Sequence, residues 1–188
     1  METLASLRER LPEAAKDIKL NLQAVLSGGA LTPEQRWGVA VAAGLASRNA
    51  ELSGALIEEA RREVGDATVD DAVAAAALMG MNNVFYRFRH RIEKLEYGDK
   101  PARLRMNRLA KPATNRLDFE LFSLAVSAIN DCDTCVRAHE KTVTEGGLST
   151  DAVIDAIRIA ATVHAAAVAL DAAVVLAGDG APVPAPSA

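Results

Sequence analysis

The sequence has few aromatic residues, no excess of basic charge and few cysteines. Aromatic side chains form 4% of the 188 residues, whereas 38 residues are alanine, the strongest helix former and a weak strand former. This composition argues against an all-β fold. Lys and Arg number 21 against 25 Asp and Glu, and the resulting net charge of -4 repels a phosphate backbone. We therefore expect no nucleic-acid partner.

Long uncharged apolar segments are also missing. Residues 1–20 carry charges every few positions and lack the apolar run of a secretory signal. The longest apolar stretch, 159–177, is interrupted by His164 and Asp171, so it predicts a buried helix and not a membrane span. Without an export signal we expect a cytoplasmic protein with no membrane partner. The two cysteines would not persist there as a passive structural disulfide, because that compartment is reducing.

Helical periodicity extends through most of the chain and predicts an all-α, compact multi-helix domain over residues 1–177. Start signals are clear at two places, since Thr32 precedes Pro33 and Ser149 precedes a long apolar segment. The predicted helices are 3–10, 12–26, 33–47, 51–64, 69–88, 117–129, 132–144 and 150–176.

Two segments are predicted to lie outside the regular helices. The segment 93–115 is charged and contains two prolines, so it predicts a long connection with at most a turn or two near Leu104. Connections of this length in a compact domain are often functional or form interfaces. Residues 178–188 are rich in proline and alanine and predict a mobile tail.

A weak internal repeat divides the domain into two related helical halves. The alignment places Trp37-Gly-Val-Ala-Val-Ala-Ala on Phe122-Ser-Leu-Ala-Val-Ser-Ala, and Asp71-Ala-Val on Asp151-Ala-Val. The order of predicted elements also agrees: a helix, a break, a second helix, a short loop and a long helix. Only the second half contains cysteine.

The candidate chemistry lies in that second half, where Cys132, Cys135 and His139 follow one another at spacings of three and four residues. On a helix that begins near Cys132, all three side chains share one face. Thiols in C-x-x-C motifs at a helix N-terminus have lowered pKa values, and a neighbouring imidazole can exchange the thiol proton. The pattern favours a redox-active dithiol at a helix N-terminus. The lack of a βαβ pattern argues against a thioredoxin-like fold.

Other interpretations of the two cysteines stay open. They are either buried structural residues or, with His139 and one more ligand, a zinc site. A purely structural disulfide would close a short loop and restrain the unfolded chain by only about 2 kcal/mol. Haem attachment is excluded because valine, not histidine, follows the second cysteine. The candidate fourth zinc ligands are Glu120, Glu140 and His164.

Glu120 is a further candidate because it is the charged residue in the apolar stretch 119–122. If the helices on either side of the turn before the cysteines are antiparallel, Glu120 and His139 come within reach, directly or through water. The alternative is a first-turn glutamate stabilised by the helix dipole. We expect no catalytic role for His90, in a basic helix end, or for His164, on an alanine-rich face.

These residues resemble the alkyl hydroperoxidase D proteins of the carboxymuconolactone decarboxylase superfamily. The resemblance rests on the E-x11-C-x2-C-x3-H spacing within 120–139 and covers most of residues 10–175. The C-x2-C-x3-H core is shared by the wider superfamily, whereas the outlying blocks point to the D proteins themselves. Those blocks are Asp17-Ile-Lys-Leu-Asn-Leu, Met79-Gly-Met-Asn-Asn-Val-Phe-Tyr-Arg, Leu104-Arg-Met-Asn and Phe119-Glu-Leu-Phe-Ser-Leu-Ala-Val-Ser-Ala-Ile-Asn.

The resemblance implies an all-helical homotrimer that acts in antioxidant defence. Such proteins reduce hydroperoxides and regenerate a partner peroxiredoxin with electrons from the dihydrolipoyl group of a lipoylated carrier protein, and we expect no tightly bound cofactor or metal. By motif position, Cys135 would be oxidised to sulfenic acid. Cys132 would donate a proton and then close a Cys132–Cys135 disulfide, with Glu120 and His139 in the proton relay.

One position departs from the family pattern, because Thr134 stands where a second histidine is found between the cysteines. Two alternative functions remain beside the dithiol oxidoreductase. One is a carboxymuconolactone decarboxylase-type lyase, which has no need of two thiols. The other is a non-catalytic zinc or adaptor domain in which the cysteines and His139 hold the structure together.

Overall fold

The computed structural model describes residues 3–178, and most of them lie in helices. No strand occurs in this range, which confirms the predicted all-α fold. Except for Gly178, the tail predicted to be mobile lies outside the described residues. The helices are α1 (Leu4–Glu9), α2 (Lys16–Ser27), α3 (Pro33–Ser47), α4 (Ala50–Val64), α5 (Asp66–Ile92), α6 (Leu95–Gly98), α7 (Asn107–Ala110), α8 (Arg116–Ile129), α9 (Asp133–Glu145) and α10 (Thr150–Ala177).

Side-chain caps define where several helices begin. Thr32 accepts a hydrogen bond from the backbone N–H of Gln35, whose side chain bonds back to Thr32, and Ser149 caps α10, as the sequence predicts. Helix α5 begins at Asp66, three residues before the predicted start. Gly65, at φ 82°, ends α4 and directly precedes α5. The second predicted helix begins later, because a 3-10 turn at Glu13–Ala15 precedes α2.

The connection between the halves contains two short helices, α6 and α7, rather than a turn near Leu104. Residues 99–106 are not helical. Pro101 removes a backbone donor, and Arg103 has a φ of 51°, in the left-handed region that a helix cannot use.

The core is organised around two helices, α3 and α8, which pack against each other. A Cβ atom at Gly38 would lie 2.1 Å from the ring of Phe122, so only glycine allows this close approach. Each of the two helices also contacts the next helix of its own half and both long helices, α5 and α10. The two predicted halves therefore share their order of elements and their packing.

Helix α10 is long and apolar enough to cross a membrane by length and composition alone. In this fold it packs on α2, α3 and α8 and contributes Ile159, Val163 and Leu170 to the core.

A buried carboxylate fixes the segment that leads into α8. Asp71, on α5, is fully buried and accepts hydrogen bonds from the backbone N–H groups of Ala113 and Thr114 and from the Thr114 hydroxyl. Its Oδ1 also accepts a hydrogen bond from the guanidinium of Arg108 at 2.9 Å. The four donors compensate for the loss of water around the charge.

A carboxylate on the long helix of the second half likewise binds the segment that leads into the first helix of the first half. Asp155, on α10, accepts the backbone N–H of Ala30 at 2.8 Å, just before α3 begins. This hydrogen bond lowers the pKa of Asp155, and Arg158 lowers it further. The long helix of each half therefore holds the entry to the first helix of the other half.

We expect Asp71→Asn to lower the free energy of unfolding by about 3 kcal/mol, because an amide presents donor hydrogens to groups that are themselves donors. Urea denaturation at pH 7 measures the change. The matched control is Asp70→Asn, at the exposed neighbouring position, which should stay within about 0.5 kcal/mol of the wild type. Equal losses in both variants would show that Asp71 does not anchor the connection.

Candidate active site

The two cysteines lie at the N-terminus of α9 and are joined by a disulfide. Cys132 is the N-cap residue and Cys135 lies in the first turn, with their Cα atoms 5.3 Å apart. Cys132 is fully buried, whereas Cys135 is 7% exposed. The placement of the C-x-x-C motif agrees with the sequence prediction, and Cys135 is the more accessible of the two residues.

The turn before the cysteines is tightly held. Asp131 has a φ of 55°, in the left-handed region that Asp adopts more readily than most residues. The backbone N–H of Cys132 then donates to the carbonyl of Ser127, one turn back in α8. This geometry reverses the chain and lets α9 pack on α8.

Side chains of helix α5 form hydrogen bonds to the residues just before this turn. Asn83 donates to the hydroxyl of Ser127 at 2.9 Å and accepts from the side chain of Asn130 at 3.0 Å. The guanidinium of Arg87 donates to the carbonyl of Asn130. These bonds join α5 to the end of α8, directly before the turn that leads into α9, so the position of the dithiol depends on α5 as well as on α8.

Glu120 and His139 are in direct contact. His139 Nδ1 lies 2.6 Å from Glu120 Oε2, and the two side chains are 12% and 5% exposed. Arg116 approaches the other carboxylate oxygen at 3.6 Å. Because a carboxylate only accepts hydrogen bonds, the contact places a hydrogen on Nδ1 and leaves Nε2 as the ring atom available for exchange with another group.

The far side of the imidazole faces an apolar pocket of about 270 Å³. His139 Nε2 lies 3.2 Å from the sulfur of Met79, and the pocket reaches Cys135. Thr134, where the family pattern has a histidine, lines the same pocket and is itself exposed. The complete lining is Met79, Asn82, Tyr86, Met106, Leu109, Thr134, Cys135, Ala138 and His139.

The structure brings together Cys132, Cys135, His139 and Glu120 and leaves the other candidates apart. His164 contacts Ser47 at 3.2 Å in an exposed position. No group of three or more His, Cys, Asp or Glu side chains within residues 3–178 is placed to hold a metal ion.

Several residues of the site were missed by the sequence reasoning, namely Met79, Asn82, Asn83 and Arg116. Two signals were present: the pair Asn82-Asn83 inside an otherwise apolar helical segment, and the family block 79–87, which contains three of the four residues. Two adjacent amides on one helix face different directions, and only the packing shows which one enters the pocket.

Comparisons with known proteins identify the family of the chain. Residues 96–177 match the model of the carboxymuconolactone decarboxylase family. A protein named alkyl hydroperoxide reductase AhpD from Anaeromyxobacter dehalogenans (strain 2CP-C) is 65% identical over 171 residues, which cover 91% of this chain and 92% of that protein. The chain belongs to the AhpD family. The resemblance recognised in the sequence is thereby confirmed.

More distant AhpD proteins align over the same length. The AhpD protein of Gluconacetobacter diazotrophicus is 50% identical over 174 residues, which cover 93% of this chain and 96% of that protein. The AhpD protein of Brucella canis is 45% identical over 171 residues, or 91% of this chain and 98% of its own. The similarity therefore spans both helical halves, whereas the match to the broader family begins in the connection and covers only the second.

We expect His139→Gln to slow iodoacetamide alkylation of reduced Cys135 at pH 7 by a factor of about 10² or more, since a positioned general base contributes roughly 10² to 10⁴. The difference should shrink towards pH 10, where a thiol with an ordinary pKa of about 8.5 ionises unaided. Alkylation rates from pH 5 to 10, with melting curves, measure the effect.

The control is Glu140→Gln, the same length of side chain at the exposed neighbouring position. An unchanged alkylation profile in His139→Gln, or a loss of thermal stability with no change in the shape of the profile, would remove His139 from the activation of Cys135.

Proposed function

We propose that this chain is an alkyl hydroperoxide reductase, an antioxidant enzyme whose redox centre is the Cys132–Cys135 pair. The observation that carries the proposal is the position of the disulfide. It lies at a helix N-terminus, and its more accessible cysteine, Cys135, lines an apolar pocket together with His139, which is paired with Glu120. The name of the similar AhpD proteins supports the same activity.

In the proposed reaction, the Cys135 thiolate attacks the terminal oxygen of a hydroperoxide. An S–O bond forms, the O–O bond breaks, and the alkoxide leaves with a proton as an alcohol. His139 is the group that takes the thiol proton and returns it to the leaving oxygen, and Glu120 holds the ring in the required orientation. The thiol of Cys132 then attacks the sulfenic acid on Cys135, which releases water and forms the disulfide.

The disulfide must be reduced before the next turnover, and we propose a dihydrolipoyl group on a carrier protein as the donor. One thiolate of the donor attacks Cys135, which displaces the Cys132 thiolate, and the second donor thiol then releases the enzyme as the dithiol. The donor leaves as the lipoyl disulfide after giving up two electrons and two protons. No tightly bound cofactor takes part.

A partner peroxiredoxin is the second proposed oxidant of the dithiol. Cys135 would attack the peroxiredoxin disulfide, and Cys132 would resolve the mixed disulfide, which transfers the two electrons to the partner. A cycle of this kind suits the cytoplasm, where thiols are kept reduced.

A lyase remains the second candidate because the matching family model carries the name of a decarboxylase. Lactone decarboxylation has no need of two adjacent thiols that form a disulfide. A zinc or adaptor domain would use the same cysteines as ligands, and metal analysis of the purified, reduced protein distinguishes that case.

We also propose that the chain assembles as a homotrimer. Large apolar side chains are exposed near the C-terminal end of α5 and on the following connection, where Phe88 and Tyr97 make an edge-to-face contact. Leu95 beside them is 87% exposed, more than an isolated subunit needs to leave in water. A symmetric assembly would cover this surface.

We expect Cys135→Ser to abolish hydroperoxide reduction with a dihydrolipoyl donor. Cys132→Ser should react once and stop, because its sulfenic acid has no neighbouring thiol with which to condense. Mass spectrometry after one equivalent of peroxide should find one added oxygen on Cys135 in the second variant and a disulfide without added oxygen in the wild type. An adduct on another residue, or full turnover in either variant, would contradict the assignment.

Light scattering should give a mass three times the 19.8 kDa of the chain. Leu95→Glu should lower that mass, because a charge in an apolar interface cannot be solvated. Leu20→Glu on α2, where the leucine is 57% exposed, is the matched control and should leave the mass unchanged. A wild-type mass of one chain at micromolar concentration would rule out the trimer.

A further inference from the structure

The side chain of Asn82 on α5 has no hydrogen-bond partner, although its amide oxygen is buried. The residue is 5% exposed, and its Oδ1 is buried without a donor. Within residues 3–178 neither polar atom of its side chain makes a hydrogen bond, whereas the adjacent Asn83 bonds to both Ser127 and Asn130. Asn82 lines the pocket that it shares with Cys135 and His139.

An unpaired buried amide oxygen lowers the stability of a protein, so such groups are rare without a function. The cost is recovered when a ligand in the pocket supplies the missing partner. The pocket is otherwise mostly apolar, with Met79, Tyr86, Met106 and Leu109 on its walls. The ligand that fits has an apolar body and one polar end that both donates and accepts hydrogen bonds.

A hydroperoxide has these properties. Its terminal O–H donates, and its second oxygen accepts and carries the alkyl group. The sulfurs of a dihydrolipoyl group are weak hydrogen-bonding partners by comparison. The pairing requirement of Asn82 therefore favours the oxygen substrate over the sulfur donor.

We propose that Asn82 binds the hydroperoxide and stabilises the leaving oxygen during its reduction, an inference that rests on the proposed function. In the complex the amide turns so that Oδ1 accepts the hydrogen of the terminal O–H, and Nδ2 donates to the oxygen that carries the alkyl group. When the Cys135 thiolate attacks the terminal oxygen, the electron pair of the O–O bond moves onto that second oxygen. The Nδ2–H group then stabilises the developing negative charge until the proton arrives from His139.

The test is a single-turnover experiment that needs no electron donor. Reduced protein is mixed with tert-butyl hydroperoxide, and the rate of disulfide formation is followed by stopped flow. Asn82→Leu and Asn82→Ala, which both remove the amide but differ in volume, should each slow the reaction by about 10-fold or more. Asn21→Leu, the same change at an exposed position on α2, should react at the wild-type rate.

Two further measurements separate binding of the substrate from a structural role. The rate of iodoacetamide alkylation of Cys135 should be unchanged in both variants, because alkylation has no leaving oxygen for Asn82 to stabilise. The melting temperature of Asn82→Leu should equal or exceed that of the wild type, since the variant loses an unpaired buried polar group. A structural asparagine would give a lower melting temperature instead.

Besides that lower melting temperature, three results would overturn the inference. The first is that both variants form the disulfide with peroxide at the wild-type rate. The second is that alkylation by iodoacetamide is slowed as much as the reaction with peroxide. The third is that the reaction with peroxide is slowed in Asn82→Leu but not in Asn82→Ala, which would indicate a steric block. If the proposed function is wrong, the result is different: the wild-type protein itself would not form the disulfide when it is mixed with the hydroperoxide.

Discussion

The close contact between α3 and α8 is the constraint on which the rest of the structure depends. It exists because Gly38 has no side chain where the ring of Phe122 lies against α3. Helix α8 is thereby held at the centre of the molecule with Glu120 in its first half, and it ends at the turn from which α9 and the cysteines begin. A shift of α8 would move the carboxylate and the dithiol together.

The site places polar groups where a small helical domain would otherwise have only apolar core. The buried carboxylate of Glu120 is acceptable because His139 and Arg116 approach its two oxygens, and the amide of Asn83 is acceptable because Ser127 and Asn130 at the end of α8 pair with it. The two sulfurs are weak hydrogen-bonding groups and need fewer polar partners when they are buried. The N-cap and first-turn positions hold the Cα atoms of Cys132 and Cys135 5.3 Å apart, within the normal range for a disulfide.

Local sequence signals predicted the parts of this structure that depend on local chemistry. The caps at Thr32 and Ser149 and the position of Cys132 follow from residues a few positions away, and the contact between Glu120 and His139 follows from the reversal of two adjacent helices. Asn82 could not be assigned in this way, because its surroundings come from α7 and α9 as well as from its own helix. The start of α5 was missed because Gly65 carries no side chain that caps it.

The exchanged carboxylate anchors determine when the chain can complete its folding. Asp71 binds Ala113 and Thr114, which lie 42 and 43 positions further along the chain. The partner of Ala30 is Asp155, which lies 125 positions away. The entropy of closing so long a loop is recovered only when α10 docks. During synthesis from the ribosome, the entry to α3 therefore remains unsecured until almost the whole chain has emerged, and the earliest helix of the central pair is among the last to be fixed.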